Sequence, residues 1–201
     1  AVESLLKRGR KRLRELMRSE RGALLADDAG LGKTYVAAAI MREAARPLLV
    51  IPASLRTMWR DALGAAGAGA TIVTYSAISR GAAPVGEFDL VVLDEAHHAR
   101  TPSTRRYALL ARLATRARVL LLTATPVHNR REELGALFAL FLGARAHTAS
   151  DAELARLILR RERAEVAGAV AIPEAPAPEW ICVGEDAPIL DALLTLPQPV
   201  P

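Results

Sequence analysis

Short, mostly apolar runs of four residues recur along this chain, each followed or preceded by a stretch with helical periodicity. The runs fall at residues 23–26, 48–51, 71–74, 90–93 and 119–122. A strand with one wet face alternates polar and apolar residues, whereas a continuously apolar strand is buried on both faces. Such strands alternating with helices define an α/β fold, a parallel sheet with helices on both faces. Helices are predicted over 3–20, 33–45, 55–63, 103–114, 131–142 and 151–163, the fourth capped by Ser103. The first is basic and amphipathic, with Leu5, Leu6, Leu13, Leu16 and Met17 as its apolar stripe. The Gly/Ala-rich stretch 64–70 reads as a loop or a frayed helix end. Beyond about residue 145 the rhythm changes, and a stretch containing Pro173, Pro176 and Pro178 leads to a short predicted strand at 180–183. The expected organisation is a basic N-terminal helix (1–21), an α/β lobe (22–145) and a connector (146–201).

The chain of 201 residues is 51% apolar, enough to bury one sizeable core. Its single cysteine, Cys182, excludes an internal disulfide and a cysteine-built zinc site. No apolar run reaches the length of a membrane span and no segment reads as a signal peptide, so no membrane partner and a reducing cytoplasm are expected. The chain begins at Ala1 and ends in a Pro-rich run, as expected of an excised or trimmed piece. The net charge of +5 resides in residues 1–21, with eight Lys or Arg against three Glu. Residues 96–131 hold eight Arg and no acid, while 164–201 hold six acids and no base. Basic segments beside neutral or acidic ones suit a polyanion surface, although a chain rich in Ala and Arg also places Arg on solvated helix faces.

Three clusters carry chemistry, each directly after an apolar strand. The first is Asp27, Asp28, Ala29, Gly30, Leu31, Gly32, Lys33 and Thr34, between a strand and a helix. Phosphate binding requires backbone N–H groups at a helix N-terminus, a cation and a hydroxyl for Mg²⁺. Gly30 and Gly32 permit close backbone approach, Lys33 would reach the β- and γ-phosphates, and Thr34 would ligate the metal. The usual phosphate-loop pattern places Gly where Asp27 stands. The second cluster is Asp94-Glu95-Ala96-His97. Asp94 would hold Mg²⁺ and Glu95 would polarise an attacking water, the two carboxylates that a metal-assisted nucleotide hydrolase needs. The third is Thr123-Ala124-Thr125-Pro126, whose hydroxyls would lie at the carboxyl edge of the sheet, where ligands bind in such folds.

In this order, the three clusters resemble motifs I, II and III of superfamily-two helicases, and the wider match resembles the Swi/Snf-type branch. That branch carries Asp in the position of Asp27. Residues 48–55 with Trp59 resemble its motif Ia, residues 72–75 its motif Ib, and Thr123–Asn129 with Glu132, Glu133 and Leu134 its motif III. Leu159-Arg160-Arg161 with Val166 resembles the segment joining two lobes. The resemblance spans about residues 22–183. It implies a RecA-like ATP-binding lobe, ATP and Mg²⁺ as cofactors, duplex DNA or another nucleic acid as partner, and a second RecA-like lobe. It further implies that Pro52, Ser54, Thr74 and Tyr75 lie along the phosphate backbone, and that His97, Thr123 and Thr125 couple nucleotide state to the rest of the lobe. Arg100, Arg105 and Arg106 are candidates to strengthen the DNA contact, with a solvated helix face as the plainer reading. Three departures stand out. The only Gln is Gln198, so no residue is assigned to the adenine. His128 occupies the place of a motif III Gln. No segment resembles motifs V and VI or carries their arginine finger.

The expected function is ATP hydrolysis coupled to movement on duplex DNA, with one lobe alone poorly active. Two alternatives remain open at this stage. One is a nucleotide-binding module with little turnover, which ATPase assays with and without DNA would separate. The other is a lobe of an unwinding helicase or restriction translocase, which shares motifs I to III but is less well matched by residues 27–34 and 159–161. A small-molecule kinase would leave Thr123–Pro126 unexplained.

Overall fold

The computed structural model describes residues 2–124 and 131–161, and the side chains from Gly9 onward. All of these residues belong to the first of two units, Ala1–Val170. The expected strand at 180–183, like Thr125 and His128, lies outside the described residues.

The elements run α1 (Val2–Ser19), β1 (Gly22–Leu25), α2 (Lys33–Met41), β2 (Pro47–Ile51), α3 (Arg56–Ala66), β3 (Thr71–Thr74), α4 (Tyr75–Ser79) and β4 (Leu90–Leu93). They continue through α5 (Arg105–Ala114), β5 (Arg118–Leu122), α6 (Arg131–Leu142), α7 (Arg145–Thr148), α8 (Asp151–Ala155) and β6 (Ile158–Leu159). Single 3-10 turns at Ala53–Leu55 and Ala96–Ala99 follow β2 and β4. The six strands form one sheet in the order β3-β2-β4-β5-β1-β6, and every pairing is parallel. As expected from their continuous apolarity, β1, β2 and β4 are buried along their whole length. Helices α1, α2 and α3 form one layer, and α4, α5, α6 and α7 another. Trp59, Phe138, Leu13 and Met17 are among the largest fully buried side chains of the core.

Four local readings are corrected. Helix α2 stops at Met41 rather than Ala45, its last turn tightened by i−3 bonds from the Glu43 and Ala44 amides to the Ile40 and Met41 carbonyls at 3.1 and 3.0 Å. The Asp89 carboxylate then takes the Ala45 and Arg46 amides at 3.0 and 2.7 Å. Helix α5 is capped by Thr104, whose hydroxyl accepts the Tyr107 amide at 3.2 Å, and not by Ser103. The predicted helix over 151–163 is the single turn of α8, with a Ser150–Glu153 capping box, followed by a strand. Leu154, Leu157 and Ile158 fit helical spacing, but the open edge of β1 is better satisfied when Leu24 and Leu25 pair with Ile158 and Leu159. Finally, α4 was not expected; Thr74 caps it by accepting the Ala77 amide.

The candidate nucleotide site

Strands β4, β5 and β1 are neighbours, so their carboxyl ends share one edge of the sheet. Leu25 is in register with Leu122, and Leu121 with Leu93. The residues that follow each strand therefore meet: Asp27–Thr34 after β1, Thr123 after β5, Asp94 and Glu95 after β4. The chain passes from β1 across to β2 and back through β4 to β5. That reversal of strand order opens the crevice in which such sheets take their ligands.

The loop after β1 turns on Gly30 and Gly32, both left-handed at φ 84° and 79°. Gly32 leads into α2 with no side-chain cap and no acidic residue in the first turn. An uncapped helix N-terminus carries unsatisfied donors and a partial positive charge, which suits an anion. The Lys33 ammonium donates to the backbone carbonyls of Asp27 and Asp28 at 2.6 and 3.0 Å. Burial pulls its pKa down, against the raising influence of Asp27, Glu95, Asp94 and Asp28. The influence of those acids places all of them within electrostatic reach of one amine. The Thr34 hydroxyl lies 3.8 Å from the Met58 sulfur.

Asp94 is buried, and two donors fix its carboxylate. The Trp59 indole N–H donates to Oδ2 at 2.7 Å and the Glu95 amide to Oδ1 at 2.9 Å. Burial raises its pKa, and these two hydrogen bonds oppose the rise. Glu95 adopts left-handed backbone at φ 49°, a conformation that costs energy for a residue with a Cβ and is concentrated at functional positions. His97 Nδ1 lies 3.3 Å from a Glu95 carboxylate oxygen, but off the hydrogen-bond direction, and the buried nitrogen makes no hydrogen bond. Thr123 is fully buried at the end of β5, its amide donating to Leu25 at 3.1 Å.

The residues expected along the phosphate backbone divide into two groups. Pro52 and Ser54 follow β2, half-buried and exposed respectively. Thr74 and Tyr75 are buried, and their hydroxyls are used within the lobe. The Thr74 hydroxyl caps α4, and the Tyr75 hydroxyl donates to the Asp94 carbonyl at 2.8 Å. The arginines likewise have intramolecular duties. Arg106 bonds the His98 carbonyl and the Ser79 hydroxyl at 2.9 Å each, and lies 5.6 Å over the Tyr75 ring. Arg100 reaches Glu133 at 3.4 Å.

Two residues acquire a place that the sequence reading did not give them. Trp59 orients Asp94, and Tyr75 braces the backbone beneath it. A buried polar aromatic near a carboxylate was the available signal, since Trp and Tyr rarely bury their N–H or O–H without a partner.

An all-parallel sheet with these residues at its carboxyl edge defines the class: a RecA-like α/β lobe. Residues 63–154 match the SNF2-related domain. A Bacillus subtilis (strain 168) protein described as an uncharacterized ATP-dependent helicase, YqhH, is 33% identical over 154 residues, covering 62% of this chain and 28% of that protein. A zebrafish (Danio rerio) DNA excision repair protein ERCC-6-like is 31% identical over 157 residues, covering 59% of this chain and 11% of the relative. The chain thus spans about a third or less of these relatives. The solved SWI2/SNF2 ATPase core of Sulfolobus solfataricus in complex with dsDNA superposes with a TM-score of 0.67 at 21% identity, covering 81% of this chain and 45% of that one. The chain is thus similar to Snf2-type helicase-like ATPases over the stretch that includes residues 63–154.

Proposed function

We propose that this chain is the ATP-binding first lobe of a DNA-dependent ATPase that moves on duplex DNA. The observation that carries the reading is the meeting of the Lys33 loop with Asp94 and Glu95 at one edge of the sheet. The proposed ATP-binding lobe extends beyond 22–145: it takes in α1, whose Leu13, Leu16 and Met17 are buried in the core, and β6, which joins the same sheet, while the residues that follow are proposed to lead toward a second lobe.

The residues fit a nucleotide carrying Mg²⁺. The uncapped start of α2 and the Gly30–Gly32 turn offer backbone donors to phosphate. Lys33 already rests on carbonyl oxygens, and a phosphate oxygen is a stronger acceptor for the same ammonium. Thr34 and Asp94 are hard oxygen donors, and one or two such ligands completed by phosphate and water are what Mg²⁺ takes. Bound there, the metal would neutralise charge developing on the phosphates. Trp59 and the Glu95 amide hold the Asp94 carboxylate in one orientation for this task. Glu95, in its strained backbone conformation, would orient and polarise the attacking water. His97, beside Glu95, would pass the state of that carboxylate toward Thr123 and Thr125.

In phosphoryl transfer, an arginine supplied across an interface is worth roughly 10³–10⁵ in rate. One lobe is therefore expected to bind ATP and turn it over slowly. By analogy with the archaeal core solved on dsDNA, Pro52 and Ser54 and the backbone at Thr74–Tyr75 are the proposed contacts to the sugar-phosphate chain.

Binding of a fluorescent ATP analogue tests the reading. Lys33→Ala removes charge-assisted hydrogen bonds of about 1.5–3 kcal/mol, so affinity should fall roughly 10- to 100-fold. Glu95→Gln should bind like wild type. In the protein joined to its second lobe, Glu95→Gln should abolish DNA-stimulated phosphate release. Equal loss of binding in both variants would contradict the separate roles, and no binding by wild type would overturn the reading.

A further inference from the structure

Asp27 occupies a place where the ordinary phosphate loop has a glycine. It is fully buried, and its carboxylate is saturated by one residue 134 positions away. Arg161 donates its backbone amide to Oδ1 at 2.9 Å and its Nε to Oδ2 at 2.9 Å, and its Nη2 closes the fork on Oδ2. The Arg161 side chain is only 12% exposed. The backbones are also zipped together. The Ala26 amide donates to the Leu159 carbonyl at 2.8 Å, and the Asp28 amide to the Arg161 carbonyl at 3.1 Å. These bonds prolong the β1–β6 ladder beyond Leu25 and Leu159 into the phosphate loop itself.

The same two residues face Lys33 on their other side, since the carbonyls of Asp27 and Asp28 hold its ammonium. Residues 27 and 28 therefore stand between the lysine and the arginine. Helix α1 closes the arrangement at Gly9, where an added Cβ would lie 3.7 Å from the Arg161 guanidinium.

We propose that Arg161 is a positioning residue for the phosphate loop. Through Asp27 and Asp28 it sets where the Lys33 ammonium stands, so nucleotide affinity depends on the conformation of the chain at residue 161. This rests on the nucleotide-site reading above. The coupling is reciprocal, as any binding linkage is. When Lys33 leaves the two carbonyls for a phosphate, the loop that carries them loses a partner, and the Arg161 amide, bonded to the Asp27 carboxylate of the same loop, registers the change. The information is thereby delivered to the point where the chain enters residues 162–201.

Three readouts on the full chain test this: affinity for a fluorescent ATP analogue, thermal unfolding, and hydrogen exchange at the amides of residues 26–28 and 161. The variants are Arg161→Ala, Arg161→Lys and, as a control, Leu154→Ala, which empties a buried position on α8 away from the loop. Arg161→Ala should weaken nucleotide binding by about tenfold or more, within the usual range for coupled sites. Arg161→Lys, which keeps the charge but not the fork, should fall between it and wild type. Leu154→Ala should lower the unfolding temperature yet keep wild-type affinity, and saturating nucleotide should change exchange of the Arg161 amide in wild type. The inference is overturned if folded Arg161→Ala binds like wild type, or if affinity simply follows unfolding temperature across all variants. If Arg161→Ala does not fold, the lysine variant and the Arg161 amide decide: wild-type affinity in the first, or unchanged exchange at the second, overturns it. A wild-type chain that binds no nucleotide would instead sink the functional reading, and this inference with it.

Discussion

Asp94 shows how a buried carboxylate is made usable. Left alone in an apolar surround it would hold a proton, but the Trp59 indole and the Glu95 amide keep it oriented and favour its charge. Trp59→Phe keeps the ring volume and removes one donor. Leaving Oδ2 without that partner should cost about 1–3 kcal/mol of stability and weaken Mg²⁺-dependent nucleotide binding more than metal-free binding. Thermal unfolding and titrations with and without Mg²⁺ measure both effects. Asp89 gives the opposite case. Burial raises its pKa, but the Arg46 and Ala45 amides and the Arg118 guanidinium outweigh it and hold the carboxylate below its ordinary range. A carboxylate with a depressed folded pKa stabilises the fold above the ordinary range, and that stability is lost as pH falls through the folded value. Asp89→Asn should therefore unfold at lower temperature at neutral pH, with a smaller further loss on acidification than wild type.

At the scale of the element, small groups decide boundaries. Thr104→Ala removes the cap of α5 and should cost about 0.5–2 kcal/mol, whereas Ser103→Ala should change little. Chemical denaturation of the two variants separates them. Gly22 opens β1 under the ring of Phe141, where an added Cβ would stand 2.4 Å from the ring. Gly22→Ala should destabilise by about 1–3 kcal/mol, and Phe141→Leu in the same chain should restore part of the loss. These details also mark what the sequence could and could not tell. Four of the five long strands were legible because continuous apolarity survives in any context, whereas β3, at the edge of the sheet, carries only Ile72 and Val73 between two threonines; the three clusters were legible because each follows a continuously apolar strand. Strand β6 was not, since two residues carry no periodicity and Leu154–Ile158 satisfies helical spacing equally well. The choice was made by the free edge of β1, a partner more than a hundred residues upstream. Thr104 over Ser103 is a choice of one residue, which pattern cannot resolve. The orientation of Asp94 by Trp59 depends on α2 and α3 meeting over the sheet, a tertiary fact that no local spacing encodes.

At the scale of the molecule, formal charge overstates the positive surface. Arg14 pairs with Glu43, Arg118 with Asp89, Arg131 with Asp151, and Arg21 donates to the carbonyls that end α5. What is left for DNA is modest. The chain alone is expected to bind duplex DNA in the non-specific range of roughly 10⁻⁴–10⁻⁶ M at physiological salt, with affinity falling steeply as salt rises. Anisotropy titrations at several salt concentrations test this; tight or sequence-selective binding would mean that bases, and not phosphates, are read. The order of the sheet has a further consequence in time. Among the described residues, strand β1 is the first made and lies between β5 and β6, the last two. On the ribosome, an apolar strand and the loop behind it wait without neighbours until residues 118–122 and then 158–161 have emerged. Long-range pairings of this kind form slowly and leave nascent chains open to misassembly. A chain stopped just short of Ile158 would retain residues 27–34 and 94–95 in full, yet β1 would keep a bare edge and Asp27 would be a carboxylate without its counter-ion. Translation of residues 158–161 thus separates a sticky intermediate from a paired β1.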